Sequence, residues 1–131
     1  MANQAKTLTA DDFFAALPDL GKEPRIEPVE IPEAGPGARV FVREMTSAER
    51  DKFDESLTTE DGRATGNYRA RFVAACACDE CGKPLFIATQ VAALGARSPA
   101  VVGRIFQKAR QLNPALSDAV AAEKKDSGAE A

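Results

Sequence analysis

Five of the chain's eight prolines fall between residues 18 and 36, at Pro18, Pro24, Pro28, Pro32 and Pro36. Proline lacks a backbone N–H and clashes with the preceding helical turn, so no helix can run through this stretch. The chain is thereby divided into a short N-terminal piece, a non-helical region and a longer C-terminal part. Within the non-helical region residues 25–31 can run extended, with Pro28 implying an edge position. Ala38-Arg39-Val40-Phe41-Val42-Arg43-Glu44 is a stronger strand, rich in β-branched and aromatic residues. Pro32-Glu33-Ala34-Gly35-Pro36-Gly37 between them reads as a loop. The pair predicts a β-hairpin over residues 25–44. A lone hairpin is marginal in water, so it must pack on helices or recruit strands from another subunit.

Helix signals flank this hairpin. Thr9 precedes Asp11-Asp12-Phe13-Phe14, which predicts an N-cap and a short helix ending near Pro18. Its adjacent phenylalanines need a place to dock. Thr46-Ser47-Ala48-Glu49 is a capping box opening a charged helix to about Leu57, with Phe53 and Leu57 as inward anchors. Asn67 starts a helix over 68–77, with Tyr68, Phe72, Val73, Ala75 and Cys76 on one broad side. Arg69 falls within that side. It must reach solvent along its stem, or pair with a carboxylate of the 49–55 helix or of a neighbouring subunit.

Asp79-Glu80-Cys81-Gly82-Lys83-Pro84 reads as a turn, and Leu85-Phe86-Ile87 as a short apolar plug. A short helix over 91–94 ends at Gly95. Ser98-Pro99 then gives a strong helix start. Over 99–112, Val101, Val102, Ile105, Phe106, Ala109 and Leu112 share an arc of roughly 140°, wide enough for a core face. Arg104 and Lys108 fall on the opposite side. Asn113-Pro114 ends the helix, Leu116 and Val120 allow one further turn, and residues 118–131 read as a disordered charged tail. The fold class expected is α+β, mainly α: the hairpin followed by a small bundle of four to five helices. Residues 1–24 form an N-terminal segment and 25–117 a single domain.

Composition narrows function. Hydrophobic residues make up 44% of 131, but 25 are alanine and three are cysteine, leaving 30 large apolar side chains. So thin a core makes an oligomer a reasonable expectation. There is no histidine. That removes the commonest general base and the Ser–His and Cys–His nucleophile pairs. No catalytic constellation emerges, and the chain reads as a non-enzyme without a cofactor. The net charge of −3 and the interleaving of basic with acidic residues argue against nucleic-acid binding. No apolar run approaches membrane-spanning length, and no signal peptide precedes the first helix. Cys78-x-x-Cys81 has zinc-ligand spacing, and Cys76 adds a third thiol. No fourth Cys or His exists, so the site expected is no metal site, with Cys76 in the core and Cys78 and Cys81 near a turn.

The order of segments carries a resemblance. A strand leads into Met45-Thr46-Ser47-Ala48-Glu49-Arg50, followed by Asn67-Tyr68-Arg69-Ala70-Arg71-Phe72-Val73 and Asp79-Glu80-Cys81-Gly82-Lys83-Pro84-Leu85-Phe86. Val91-Ala92-Ala93-Leu94-Gly95 and the segment from Ser98 through Arg104-Ile105-Phe106 to Leu112-Asn113 complete it. Over residues 38–113 this resembles the tail assembly chaperones of long-tailed, non-contractile bacteriophages. Cys81 stands where the family commonly has an acid, and Ala88-Thr89-Gln90 replaces its usual hydroxyl-and-acid cap.

The resemblance implies a non-enzymatic assembly factor in the host cytoplasm, absent from the mature virion. Such proteins bind the tape measure protein, a long and largely helical chain, and give way to the tail tube protein. Many are also made in a longer, frameshifted form. The alternative class is a structural virion component, such as a head–tail connector or minor tail protein. For self-association the candidates are Val40, Phe41 and Val42 on the hairpin edge. For partner contact they are Arg69, Arg104, Ile105, Phe106 and Lys108, although Ile105 reads better as core.

Overall fold

A computed structural model of the chain describes residues 5–114. Among these residues five helices and a three-stranded antiparallel sheet make up an α+β fold, with helix predominating. Helix α1, Ala10–Ala16, is closed at its start by a complete capping box: Thr9 Oγ1 accepts from the Asp12 N–H, and Asp12 accepts from the Thr9 N–H. None of its residues is buried.

Strands β1, Ile26–Glu30, and β2, Arg39–Arg43, form the expected hairpin, paired from Ile26 with Arg43 to Glu30 with Arg39. A single 3-10 turn, Pro32–Ala34, sits in the connecting loop. Glu44 donates to the Arg25 carbonyl at one end of this ladder and Ile31 to the Ala38 carbonyl at the other. Hydrogen-bonded pairs alternate along an antiparallel ladder, so they fall at odd-numbered β1 positions. Pro28 is even-numbered, its nitrogen faces outward, and no ladder bond is lost there. That is the edge position its sequence context predicts.

A third strand, β3, Ala77–Cys78, was not expected and pairs with β2 through Phe41 with Cys78 and Val42 with Ala77. The sheet order is β1-β2-β3, which makes β2 the central strand. One correction follows. Val40, Phe41 and Val42 do not form a free edge, because β3 occupies the ladder of Phe41 and Val42, and the Val42 side chain is fully buried. Cys78, expected near a turn, does adjoin it, but as the last residue of β3 it is also buried in the sheet. The turn itself follows directly: Asp79 Oδ1 accepts from the N–H groups of Cys81 and Lys83 at 2.8 and 3.0 Å, and Gly82 adopts a φ of 88°. These backbone donors, that of Lys83 first, hold the Asp79 carboxyl below its usual range.

Helix α2, Ser47–Glu55, opens with the predicted capping box, Thr46 with Glu49. Helix α3, Tyr68–Cys76, starts at Asn67, whose φ of 51° is a left-handed conformation that Asn tolerates better than most residues. A 3-10 turn, Ala88–Gln90, leads into α4, Val91–Gly95. The 3-10 turn is closed at its start by Gln90, whose Oε1 accepts from the Ile87 N–H at 2.9 Å. Gly95 closes on α3: a Cβ there would lie 2.9 Å from Asn67 Oδ1. Helix α5, Pro99–Leu112, is capped by Ser98, whose Oγ accepts from the Ala100 N–H.

The core lies between the sheet, α3 and α5. The α5 arc is buried as its spacing predicts, through Val102, Ile105, Phe106, Ala109 and Leu112. Phe72, fully buried, meets Phe53 and Phe106 edge-to-face, with ring centroids 5.2 and 5.4 Å apart. Tyr68 joins the same cluster. Each ring buried this way stabilises by roughly 1.5–3 kcal/mol, with edge-to-face geometry adding about 0.5–1.5. The expected plug at Leu85-Phe86-Ile87 is not one. Only Phe86 packs on the core, and Leu85 and Ile87 are exposed. No helix among the described residues is long and apolar enough to cross a membrane. Leu116, Val120 and the tail at 118–131 lie outside the described residues.

Candidate functional site

The α3–α5 side of the domain carries the charged and aromatic residues of interest, and the fold sorts them into two groups. Arg104 and Lys108 face the hairpin. The Arg104 guanidinium makes a two-pronged pair with Glu33, at 2.8 and 2.7 Å, and donates to the Glu30 carbonyl. Lys108 Nζ lies 3.1 Å from Glu27. Both residues therefore hold α5 to the hairpin. Hydrogen bonding to Arg104 pushes the Glu33 carboxyl down to about 2. Ile105 is core, as its place on the arc suggests.

Arg69 and Phe106 come together elsewhere. Phe106 is 8% exposed, and its visible edge lies in an open groove of about 710 Å³ bounded by Arg69, Gly103, Gln107 and Arg110. The guanidinium carbons of Arg69 and Arg110 stand 5.8 and 5.7 Å from the centre of the Phe106 ring. Guanidinium over an aromatic face is a favourable electrostatic arrangement. Arg69 is exposed and so reaches solvent along its stem, while its guanidinium also borders the Phe106 ring. Two of the four acids of α2 are engaged locally, Glu49 with Arg43 and Asp54 with Arg50.

A second groove, of about 630 Å³, adjoins the first through Arg69 and Pro99. Tyr68, Val102 and Arg97 line it. Three arginines thus border a continuous aromatic-floored surface, and among the described residues no acid lines either groove. In a chain of net charge −3 this is a local reversal of sign. Sequence reading missed Arg97 and Arg110, because only the packing of α4 and α5 against α3 brings them beside Arg69.

The cysteines do not converge. Cys76 ends α3 in the core, Cys78 is buried in β3, and Cys81 is exposed on the turn. Among the described residues no group of three or more His, Cys, Asp or Glu side chains is placed to hold a metal ion. Burial pushes the Cys76 thiol up to about 12 and raises that of Cys78.

Fold and site together define a small α+β domain that presents a cationic, aromatic groove between its helices. The structure of the bacteriophage HK97 tail assembly chaperone is similar in fold, with a TM-score of 0.51 and 19% identity, over 68% of this chain and 81% of that chain. No protein-family model and no curated protein matches the sequence.

Proposed function

We propose that this chain is a tail assembly chaperone of a long-tailed, non-contractile bacteriophage. In this reading it binds the tape measure protein, keeps it soluble and yields it to tail tube subunits. It acts without catalysis or cofactor, in the host cytoplasm, and is absent from the finished particle. The fold likeness and the ordered sequence motifs support the reading. The observation that carries the binding step is the groove around Phe106 and Tyr68, edged by Arg69, Arg97 and Arg110.

Such a groove suits an amphipathic helix that offers apolar side chains to the aromatic floor and carboxylates to Arg69 and Arg97. A long helical partner can present many such segments. Copies bound along it through individually weak contacts cover a surface that would otherwise aggregate. Weak contacts also permit displacement when the tube polymerises.

The test is co-expression with the tape measure protein. The expected result is a soluble partner that co-purifies with the chain. The double variant Arg69→Glu, Arg97→Glu retains its circular dichroism spectrum and loses the partner. Capture unchanged by charge reversal would move binding away from this groove. Recovery of the chain in purified virions would favour a structural virion component instead.

A further inference from the structure

The described residues end at the mouth of the arginine-edged groove. Pro114 is part of its wall, with Phe106, Gln107 and Arg110. Arg50 holds the chain there by donating to the Asn113 and Pro114 carbonyls, at 2.9 and 3.3 Å. Gly103 stands midway along the same wall. Glycine weakens a helix interior. No neighbour among the described residues requires it here, because a Cβ would meet nothing within 4 Å. Such a gap lets a second stretch of backbone come close to α5.

We propose that residues 115–123 of this same chain turn back along α5 and occupy the groove, so that a partner must displace them. Tethering selects this occupant. A segment joined to the groove's own wall is present at an effective concentration of millimolar order, however dilute the protein. Docking too weak to hold a separate chain therefore still fills the groove. Asn113-Pro114 is a connection of the length that returns a chain antiparallel to a preceding helix. Phe106 stands about 9 Å along α5 from Leu112, and residues 115–123 span about 13 Å even as a helix.

The chemistry of the segment matches. Leu116, Ala119, Val120 and Glu123 fall at the spacing of one helical face. The groove, of about 710 Å³, has room for the two large apolar side chains over its aromatic floor. Residues 115–131 carry Asp118, Glu123, Asp126 and Glu130 against Lys124 and Lys125. That excess of acid lies next to walls that include Arg69 and Arg97 and, among the described residues, no carboxylate. The inference rests on the proposed function only in taking this groove as the partner's seat, and the docking itself needs no second protein.

The chain contains no tryptophan, so Val120→Trp in the full chain is a single fluorescent reporter. Its emission should be blue-shifted and independent of protein concentration. Adding Arg69→Glu with Arg97→Glu should return the emission to that of a solvated tryptophan. Acrylamide quenching should then rise about twofold, as a groove at least half filled is emptied. Gly103→Leu should have the same effect by filling the gap, with the circular dichroism spectrum unchanged in both backgrounds. Solvent-like emission from Val120→Trp alone, emission indifferent to both backgrounds, or a blue shift lost on dilution would overturn the proposal. No partner is present in this experiment, so its failure and a failure to capture the tape measure protein are separate results.

Discussion

Asn113 Oδ1 accepts the backbone N–H of Met45 at 2.6 Å, joining the end of α5 to the segment leaving β2. The same side chain donates to the carbonyls of Arg43 and Ala109, at 3.1 and 3.0 Å. Both Asn113 and Met45 are buried, so the Met45 N–H has no water to turn to. Around this node Arg50 donates to the Asn113 carbonyl at 2.9 Å. The residue that stops the long helix thus also locks sheet and helix together.

Asn113→Ala strands the buried Met45 N–H and the Arg43 carbonyl, while the Ala109 carbonyl keeps the backbone N–H of residue 113. A loss of about 1–3 kcal/mol is expected. Against a total of about 5–15 kcal/mol for a domain of this kind, that is a large fraction. Urea unfolding should show a lower midpoint with an unchanged slope.

Phe106 takes part in the ring cluster with Phe72 and Tyr68. Phe106→Ala should destabilise by about 3–5 kcal/mol. Phe106→Asp should abolish the helical circular dichroism signal altogether, since it removes a ring of the Phe72–Tyr68 cluster and sets a charge against the core. Phe106→Leu should stay folded. A folded, soluble Phe106→Asp would show that the ring belongs to an interface and not to the core.

Glu33 titrates near 2 while Arg104 holds its charged form. A depressed carboxyl contributes stability above its ordinary value of 4.5 and loses it as pH falls towards 2. Arg104→Ala should raise the Glu33 midpoint towards the ordinary carboxylate range, read from its side-chain carbon shift by NMR, with the backbone hydrogen bond of Glu33 keeping part of the depression. The variant should also lose part of the acid dependence of unfolding between those two pH values.

The cysteines should react in order of exposure. Cys81 is exposed, whereas desolvation raises the thiols of Cys76 and Cys78. Only the thiolate is nucleophilic. Iodoacetamide near pH 8 should therefore label Cys81 alone in the native protein, and all three in denaturant. Mass spectrometry of tryptic peptides distinguishes these outcomes.

Binding through the arginine-edged groove should weaken as salt rises, because exposed charges are screened beyond about 8–10 Å at physiological ionic strength. Titration of a captured tape measure segment at two salt concentrations should show this for the wild-type chain. The Arg69→Glu, Arg97→Glu variant should show a flatter dependence.

Local chemistry made much of this architecture readable from the residues. Thr46 with Glu49, Thr9 with Asp12, and Ser98 before Pro99 act within three residues of one another, so their caps appear as expected. The proline spacing gave away the non-helical stretch, and Pro28 its edge. The apolar arc of α5 is a periodicity of one helix and needs no knowledge of what it faces. Strand β3 is different. Ala77 and Cys78 are too few to carry an alternating pattern, and they are extended because β2 offers them a ladder. The same distinction separates Arg104 from Arg69. Both are arginines on helices, but Arg104 meets Glu33 across 71 residues of chain, while Arg69 lies over Phe106 beside Arg97 and Arg110. Caps, turns and helical faces depend on neighbours a few bonds away. Sheet order, ion-pair choice and the make-up of a groove depend on which distant segments meet, and that follows from burying one shared core.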